Sequence, residues 1–251
     1  MTGAARIRNL LTAGGESATM PGVTIADVES AAARAADAEI VQRTPTERSR
    51  SLSERCGAEV VLKMEHLQRT GSFKTRGAYN AVSRLVDGSG GSDGEADGTA
   101  EPPVERVVAA SAGNHAQGVA LAGDLLGVDT TVVVPEVTPA AKVEATREYG
   151  ATVVVEGAIY ERSYEYALDR AAETGATFVH PFDDPEIVAG QGTIGLELLD
   201  QFPALDTVLV AIGGGGLIGG IGTATAAADR DVRVVGVQPE GAAHAGPSLE
   251  A

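Results

Sequence analysis

The residues best suited to chemistry in this chain gather in three short stretches. The first, Thr70-Gly71-Ser72-Phe73-Lys74-Thr75-Arg76-Gly77-Ala78, sets one of only three lysines between an aromatic residue and the start of a helix. A lysine amine becomes a useful nucleophile when burial or neighbouring charge lowers its pKa, and Schiff-base formation with an aldehyde is the commonest use of that property. The plain alternative is a surface lysine in a first helical turn. The second stretch, Ser111-Ala112-Gly113-Asn114-His115-Ala116-Gln117-Gly118, follows an apolar strand and opens another helix. Small residues, a hydroxyl and consecutive amides at a helix N-terminus make a cradle for a carboxylate, and Asn114 can donate to an anionic or phenolic oxygen. His115 there is more often structural than a base, so it is given no proton-transfer role.

The third stretch is Gly213-Gly214-Gly215-Gly216, between the apolar run Val208-Leu209-Val210-Ala211-Ile212 and a helix beginning near Leu217. An α/β fold binds phosphate at such a place, because glycine lets the backbone approach and the helix N-terminus adds positive potential. Neither nucleotide motif fits. Gly214, Gly216 and Gly219 have the dinucleotide spacing, but the next strand ends in Val237-Gln238-Pro239 where the ribose would need an acid. A Walker loop would need Lys followed by Ser or Thr, and Leu217 and Ile218 occupy that region. A poised lysine, a phosphate loop and a carboxylate loop match the functional groups of an amino acid condensed with pyridoxal 5'-phosphate, which is the cofactor inferred.

Those loops need elements to hold them. Thr24-Ile25-Ala26-Asp27 reads as a capping box with Asp in place of Glu, ahead of an alanine-rich helix running to Ala38. Thr44-Pro45 stops anything helical. A short helix over 50–56, ended by Gly57, precedes a strand over 59–64, and the helix that starts at the Lys74 stretch continues over 78–86. From Val104 the pattern becomes regular. Strands over 106–110, 130–134, 152–155, 177–179, 207–212 and 233–237 alternate with helices over 115–126, 139–149, 160–174, 185–202 and 217–228. That alternation predicts parallel sheet with helices on both faces, and strands that are apolar throughout suit it. Residues 1–22 read as a mobile tail and 87–103, acidic and glycine-rich, as a disordered surface loop.

TGSFKTRGA, SAGNHAQG and GGGGL, in this order and with these separations, resemble the serine/threonine dehydratase (threonine ammonia-lyase) group of the tryptophan-synthase-β-like, fold type II pyridoxal-phosphate enzymes. The similarity runs from about Thr44 to Gln238. It implies two doubly wound α/β domains with parallel sheets: a large cofactor-binding domain from 23–86 and 181–251, and a small one from 104–180. It further implies that Lys74 forms the Schiff base with the cofactor and later serves as the base at Cα, with Phe73 against the pyridine ring and Asn114 on the ring's 3-hydroxyl oxygen. Gly213, Gly214, Gly215 and Gly216, with Leu217, would bind phosphate through backbone amides, and Ser72, Ser111, Ala112, Gly113 and His115 would hold the substrate carboxylate. The implied reaction is a lyase step, β-elimination from L-threonine to 2-oxobutanoate and ammonia, or from L-serine to pyruvate. Amino-acid metabolism such as isoleucine biosynthesis is the implied setting, and a homo-oligomer the implied assembly.

Related activities fit less well. Serine racemases of the group carry a serine where Ala112 sits, and alanine cannot transfer a proton. Cysteine synthases have a Thr-Ser-Gly-Asn-Thr type loop, and threonine synthases an Asp where Thr75 stands. Family members continue past this chain's last residue, Ala251, through elements that include the partner of the pyridine nitrogen. The large domain is therefore expected to be incomplete with an exposed sheet edge, and a cofactor-binding or interaction subunit without turnover is the rival expectation. Gln238, Ala242 and His244 stand where some members hold a divalent cation, so no metal site is expected.

Composition narrows the partners. A formal net charge of -16, from 35 acidic and 19 basic residues, disfavours nucleic acid and anionic membranes. An acidic, lysine-poor surface suits concentrated salt, hence an expected halophilic source. With 43% hydrophobic residues, no long apolar run and one cysteine, the chain reads as a soluble protein of the cytoplasm.

Overall fold

The structure, a computed structural model, describes residues 22–36, 38, 40–88 and 104–250. Apart from Gly22, Asp87 and Gly88, the tail expected over 1–22 and the loop expected over 87–103 lie outside the described residues.

A four-stranded parallel sheet forms the best-covered part of the molecule, in the order β5 (Thr152–Val155), β4 (Asp129–Val134), β3 (Arg106–Ala110), β6 (Thr177–Phe178). Its strands alternate with helices α4 (Asn114–Leu126), α5 (Ala140–Glu148) and α6 (Tyr160–Thr174). Successive strand residues point to opposite faces. Val132 and Val134 accordingly meet Ala116 and Ala120 of α4 and Val143 of α5, while Val133, Val108 and Ala110 meet Ala167 and Ala171 of α6. Both faces being covered is why these strands carry valine and alanine at consecutive positions.

The remaining elements surround a second parallel pair, β7 (Thr207–Ala211) and β8 (Arg233–Val237). Helices α7 (Pro185–Gln201) and α8 (Gly216–Ala226) cover one of its faces, where Ile194, Leu198, Val208, Val210 and Ile221 form a core. The other face is only partly covered among the described residues: Val235 is 3% exposed, but Leu209 beside it is 62% exposed and Ala211 and Val237 are exposed too. Here covering on both faces is met only in part, because an apolar strand sequence records only that burial is possible. A short antiparallel pair, β1 (Thr46–Arg48) with β2 (Val61–Lys63), also forms. The strand expected over 59–64 contracts to β2, and β1, being polar and only three residues long, carried no strand signal.

Local signals set most helix ends. Thr24 and Asp27 form the reciprocal capping pair ahead of α1 (Ile25–Ala36), with Thr24 N donating to Asp27 Oδ2 at 2.8 Å. The Ser49 hydroxyl accepts from Leu52 N at the start of α2 (Arg50–Cys56). Asp184 caps α7, accepting from Glu186 N at 2.8 Å with Pro185 in the first turn. Helix α3 (Lys74–Val86) opens at the lysine and continues over 78–86 as expected, with Phe73 before it already at helical φ -60° and ψ -18°. Lys74 is therefore the first residue of the helix. After β8, a 3-10 turn (Glu240–Ala242) and α9 (Ala245–Glu250) complete the described chain.

Candidate functional site

The three stretches singled out from the sequence lie at three helix N-termini: Lys74 begins α3, Asn114 begins α4 and Gly216 begins α8. Two of the loops follow C-terminal ends of parallel strands, where an α/β sheet presents its ligand crevice. Ser111 follows β3, and Gly213 follows β7 by one residue.

Lys74 is partly buried, and its Nζ donates to the Pro181 carbonyl at 2.6 Å and lies 5.4 Å from the Phe73 ring centroid. Burial pushes its pKa down from 10.5 to about 8, because a buried ammonium loses hydration. Ser72 is buried and its hydroxyl accepts from Lys74 N at 3.4 Å. Phe73 packs against the core beneath β7, the same cluster that receives Leu217.

Around α4, the Ser111 hydroxyl accepts from Gly113 N at 3.1 Å, which closes the loop on itself, and Ala112 and Gly113 are half-buried. The Asn114 side chain is exposed. His115 is buried, and burial pushes its pKa down to about 3, so the ring is neutral. Its Nε2 donates to the Val179 carbonyl at 3.1 Å, which leaves Nδ1 as a buried acceptor without a partner among the described residues. The helices α3 and α4 approach closely here: a methyl group on Gly118 would lie 3.1 Å from the Lys74 carbonyl oxygen.

At the glycine loop, Gly215 adopts φ +94°, a conformation that glycine alone enters readily, and caps α8. A methyl group on Gly213 or Gly215 would meet nothing within 4 Å, whereas one on Gly214 would run into the Phe182 ring. The loop is thus open on one side and backed by an aromatic ring on the other. Gly213 is also held from the far end of the chain, with its carbonyl 3.1 Å from His244 Nε2.

One connector that carried no motif joins all three loops. Residues 179–182, between β6 and α7, supply the carbonyl that receives Lys74, the carbonyl that receives His115 and the ring that backs Gly214. A signal for it was present in Val179-His180-Pro181-Phe182-Asp183-Asp184: His, Pro and Phe placed just before an Asp-Pro helix start, in a chain with 4% aromatic residues.

A charged cluster, built apart from Arg76 from residues of no sequence motif, lies on the other side of α3. Arg76 is 2% exposed and reaches Glu65 through Nε and Nη2, both at 2.8 Å, and Glu197 through Nη1 at 2.7 Å. Lys63 bonds Glu197 and the Thr44 carbonyl. Burial opposes the charge on Arg76, but the hydrogen bonds to Glu65 and Glu197 outweigh it and raise its pKa. Burial also pushes Glu65 up, and Arg76 more than reverses it. Two cations facing two carboxylates tie α3 to α7 and to the segment after β2, and thereby fix where Lys74 stands.

An amine of lowered pKa, a glycine loop with open space at a helix N-terminus and an unpartnered buried acceptor beside them suit a ligand with an aldehyde and a phosphate. Among the described residues, no group of three His, Cys, Asp or Glu side chains could hold a metal ion. No helix of the described residues is long and apolar enough to cross a membrane.

Comparison with known proteins agrees with this chemistry. The chain is 48% identical over 201 residues to the L-threonine ammonia-lyase of Thermotoga maritima, covering 80% of this chain and 47% of that protein. Among solved structures it is similar to the processed form of threonine deaminase isoform 2 from Solanum lycopersicum, with a TM-score of 0.77 and 32% identity over 98% of this chain and 68% of that one. It also resembles maize serine racemase, with a TM-score of 0.77 and 35% identity over 88% of this chain and 62% of that one. The chain spans about half the length of the curated ammonia-lyases it matches. The family model described as "Pyridoxal-phosphate dependent enzyme" matches residues 38–251, and with that match over most of its length the chain belongs to the pyridoxal-phosphate dependent enzyme family.

Proposed function

We propose that this chain carries the cofactor and substrate loops of an L-threonine ammonia-lyase, which converts L-threonine to 2-oxobutanoate and ammonia and L-serine to pyruvate. The observation that carries the reading is Lys74: an amine with pKa about 8 at the start of α3, joined through one connector to an open glycine loop. Pyridoxal phosphate, when bound, supplies the electron sink for the pair left at the substrate Cα. The protein supplies the rest. The amides of Gly213, Gly214, Gly215, Gly216 and Leu217 would bind the phosphate, Phe73 and Asn114 would orient the ring, and the loops at Ser72 and at Ser111, Ala112, Gly113 and His115 would take the carboxylate. The amine of Lys74 would remove the Cα proton, and the β-hydroxyl would take up a proton as it departs as water, so that the proton lost from Cα is balanced by the one gained by the leaving oxygen. Hydrolysis of the released enamine would give the ketoacid and ammonia.

Ala112 favours elimination over racemisation in this reading, since it offers no hydroxyl for a proton on the opposite face. In domain terms, 23–86 with 181–251 forms the cofactor domain and 104–180 the small one. We read the acidic surface as that of a halophilic cytoplasmic protein that assembles as a homo-oligomer, and equal stability at low and high salt would reject the halophilic part.

The test is direct. Protein incubated with pyridoxal phosphate should acquire a visible absorbance that Lys74→Ala lacks, and a colourless wild type rejects the reading. A second reading, cofactor binding without turnover, is favoured by the incompletely covered face of β7–β8, on which Leu209 is 62% exposed. Ketoacid formation from threonine and serine, on this chain and on one extended to its relatives' length, separates the two.

A further inference from the structure

We infer that His180 is a positioning residue of the candidate site: its imidazole, accepting two backbone N–H groups through one nitrogen, sets the turn that holds both the Lys74 amine and the glycine loop. The inference rests on the proposed cofactor site and adds a residue to it.

His180 Nδ1 accepts from Asp183 N at 2.7 Å and from Phe182 N at 3.2 Å. A nitrogen that accepts cannot carry a proton, so the ring is neutral and protonated at Nε2. Burial and the charge of Lys74 favour that state, against Asp183 and Asp184, and lower the ring's pKa overall. Aromatic edges hold the ring in place: Phe182 at 4.6 Å and 84°, Tyr164 at 6.0 Å and 79°, and Phe178 at 6.2 Å and 70°.

The two hydrogen bonds bend the backbone over residues 181–183, and both functional contacts of the turn follow. The Pro181 carbonyl is presented to Lys74 Nζ at 2.6 Å. The Phe182 ring fills the space above Gly214, and the Phe182 carbonyl would lie 2.9 Å from a methyl group on Gly216. Pro181 has no N–H of its own and a restricted φ, so the turn depends on an outside acceptor for the N–H groups that follow it. Without that acceptor the carbonyl and the ring lose their common anchor, and the amine and the phosphate loop lose their register.

The experiment titrates pyridoxal phosphate into wild type, His180→Asn and His180→Ala, read by visible absorbance. In parallel, the rate of Lys74 acylation is measured by mass spectrometry without cofactor. Asparagine places an amide oxygen near the Nδ1 position and accepts the same two N–H groups, but has no ring. The expected result is binding weakened at least about tenfold in His180→Ala, the scale of two lost hydrogen bonds, with an altered acylation rate. His180→Asn should stay within about threefold of wild type in both readouts. His180→Ala matching wild type, or His180→Asn as weak as His180→Ala, overturns the inference. If His180→Ala does not fold, His180→Asn decides alone: near-wild-type binding sustains the role of the acceptor and a tenfold loss removes it. A wild type that takes up no cofactor rejects the proposed function instead. The acylation rates then still judge His180, an unchanged rate in His180→Ala overturning its role and a changed rate restored by His180→Asn sustaining it.

Discussion

Lys74 and Arg76 stand two positions apart in the first turn of α3, both withdrawn from water, and their surroundings treat them in opposite ways. Arg76 enters a cluster in which Glu65 and Glu197 balance its charge and that of Lys63. Lys74 meets a backbone carbonyl and an aromatic ring, and no carboxylate among the described residues. Burial acts on both. Compensation reverses its effect on Arg76, whose pKa rises, and its absence lets burial push Lys74 down to about 8. A buried charge with partners becomes structure, while a buried amine without them becomes a nucleophile near neutral pH.

Breaking the compensated side should produce the largest effect on folding. Glu197→Ala leaves Arg76 and Lys63 short of a partner, and the expected loss is about 3–5 kcal/mol by urea denaturation. A wild-type midpoint would mean that the cluster is not the anchor of α3. On the other side the sign reverses. The folded pKa of Lys74 lies below the ordinary value of 10.5, so the unfolded chain binds the proton more tightly between pH 8 and 10.5. Stability contributed by this residue therefore rises with pH across that window and is at its least below pH 8. Lys74→Met should make the cofactor-free protein more stable at pH 7, by at most about 3 kcal/mol, with the advantage fading as pH approaches 10.5. Equal melting curves at pH 7 would show that the amine is better hydrated than its position indicates.

The same value governs reactivity. Acylation of Lys74 in cofactor-free protein should rise through a midpoint near pH 8, and a midpoint near 10.5 would remove the contrast with Arg76. The smallest effect sharpens the comparison. Thr193→Val deletes one acceptor of Arg76, at 3.0 Å from Nη1, but leaves both carboxylates in place. The expected loss is about 1 kcal/mol, and one approaching the Glu197→Ala value would shift the weight of the cluster from charge to hydrogen bonding.

Much of this arrangement was legible in the chain. Helix α2 has the expected ends, and the expected strands from 106 onwards keep their places within one residue, because caps and β-branched runs act locally. Lys74, Ser111 and the glycine loop stand at helix starts, as small residues after apolar strands indicate. The β1–β2 pairing, the exposure of Leu209 on one face of β7–β8 and the 179–182 connector were not legible. Each depends on what lies opposite in space, and a polar Thr46, an apolar Leu209 or a Pro181 reads the same with or without a neighbour.

By itself the sequence determined the set of reactive groups and the local turns that present them: one lysine in a glycine-serine-aromatic loop, a hydroxyl and amides ahead of α4, a run of four glycines leading into α8. Only the tertiary structure decided that Arg76 would have two carboxylates and Lys74 none, and that His180 would govern the turn between the loops. The physical reason is range. Capping and strand alternation act over a few residues, whereas desolvation and charge compensation depend on segments more than a hundred positions away, as from Arg76 to Glu197 and from Lys74 to Pro181.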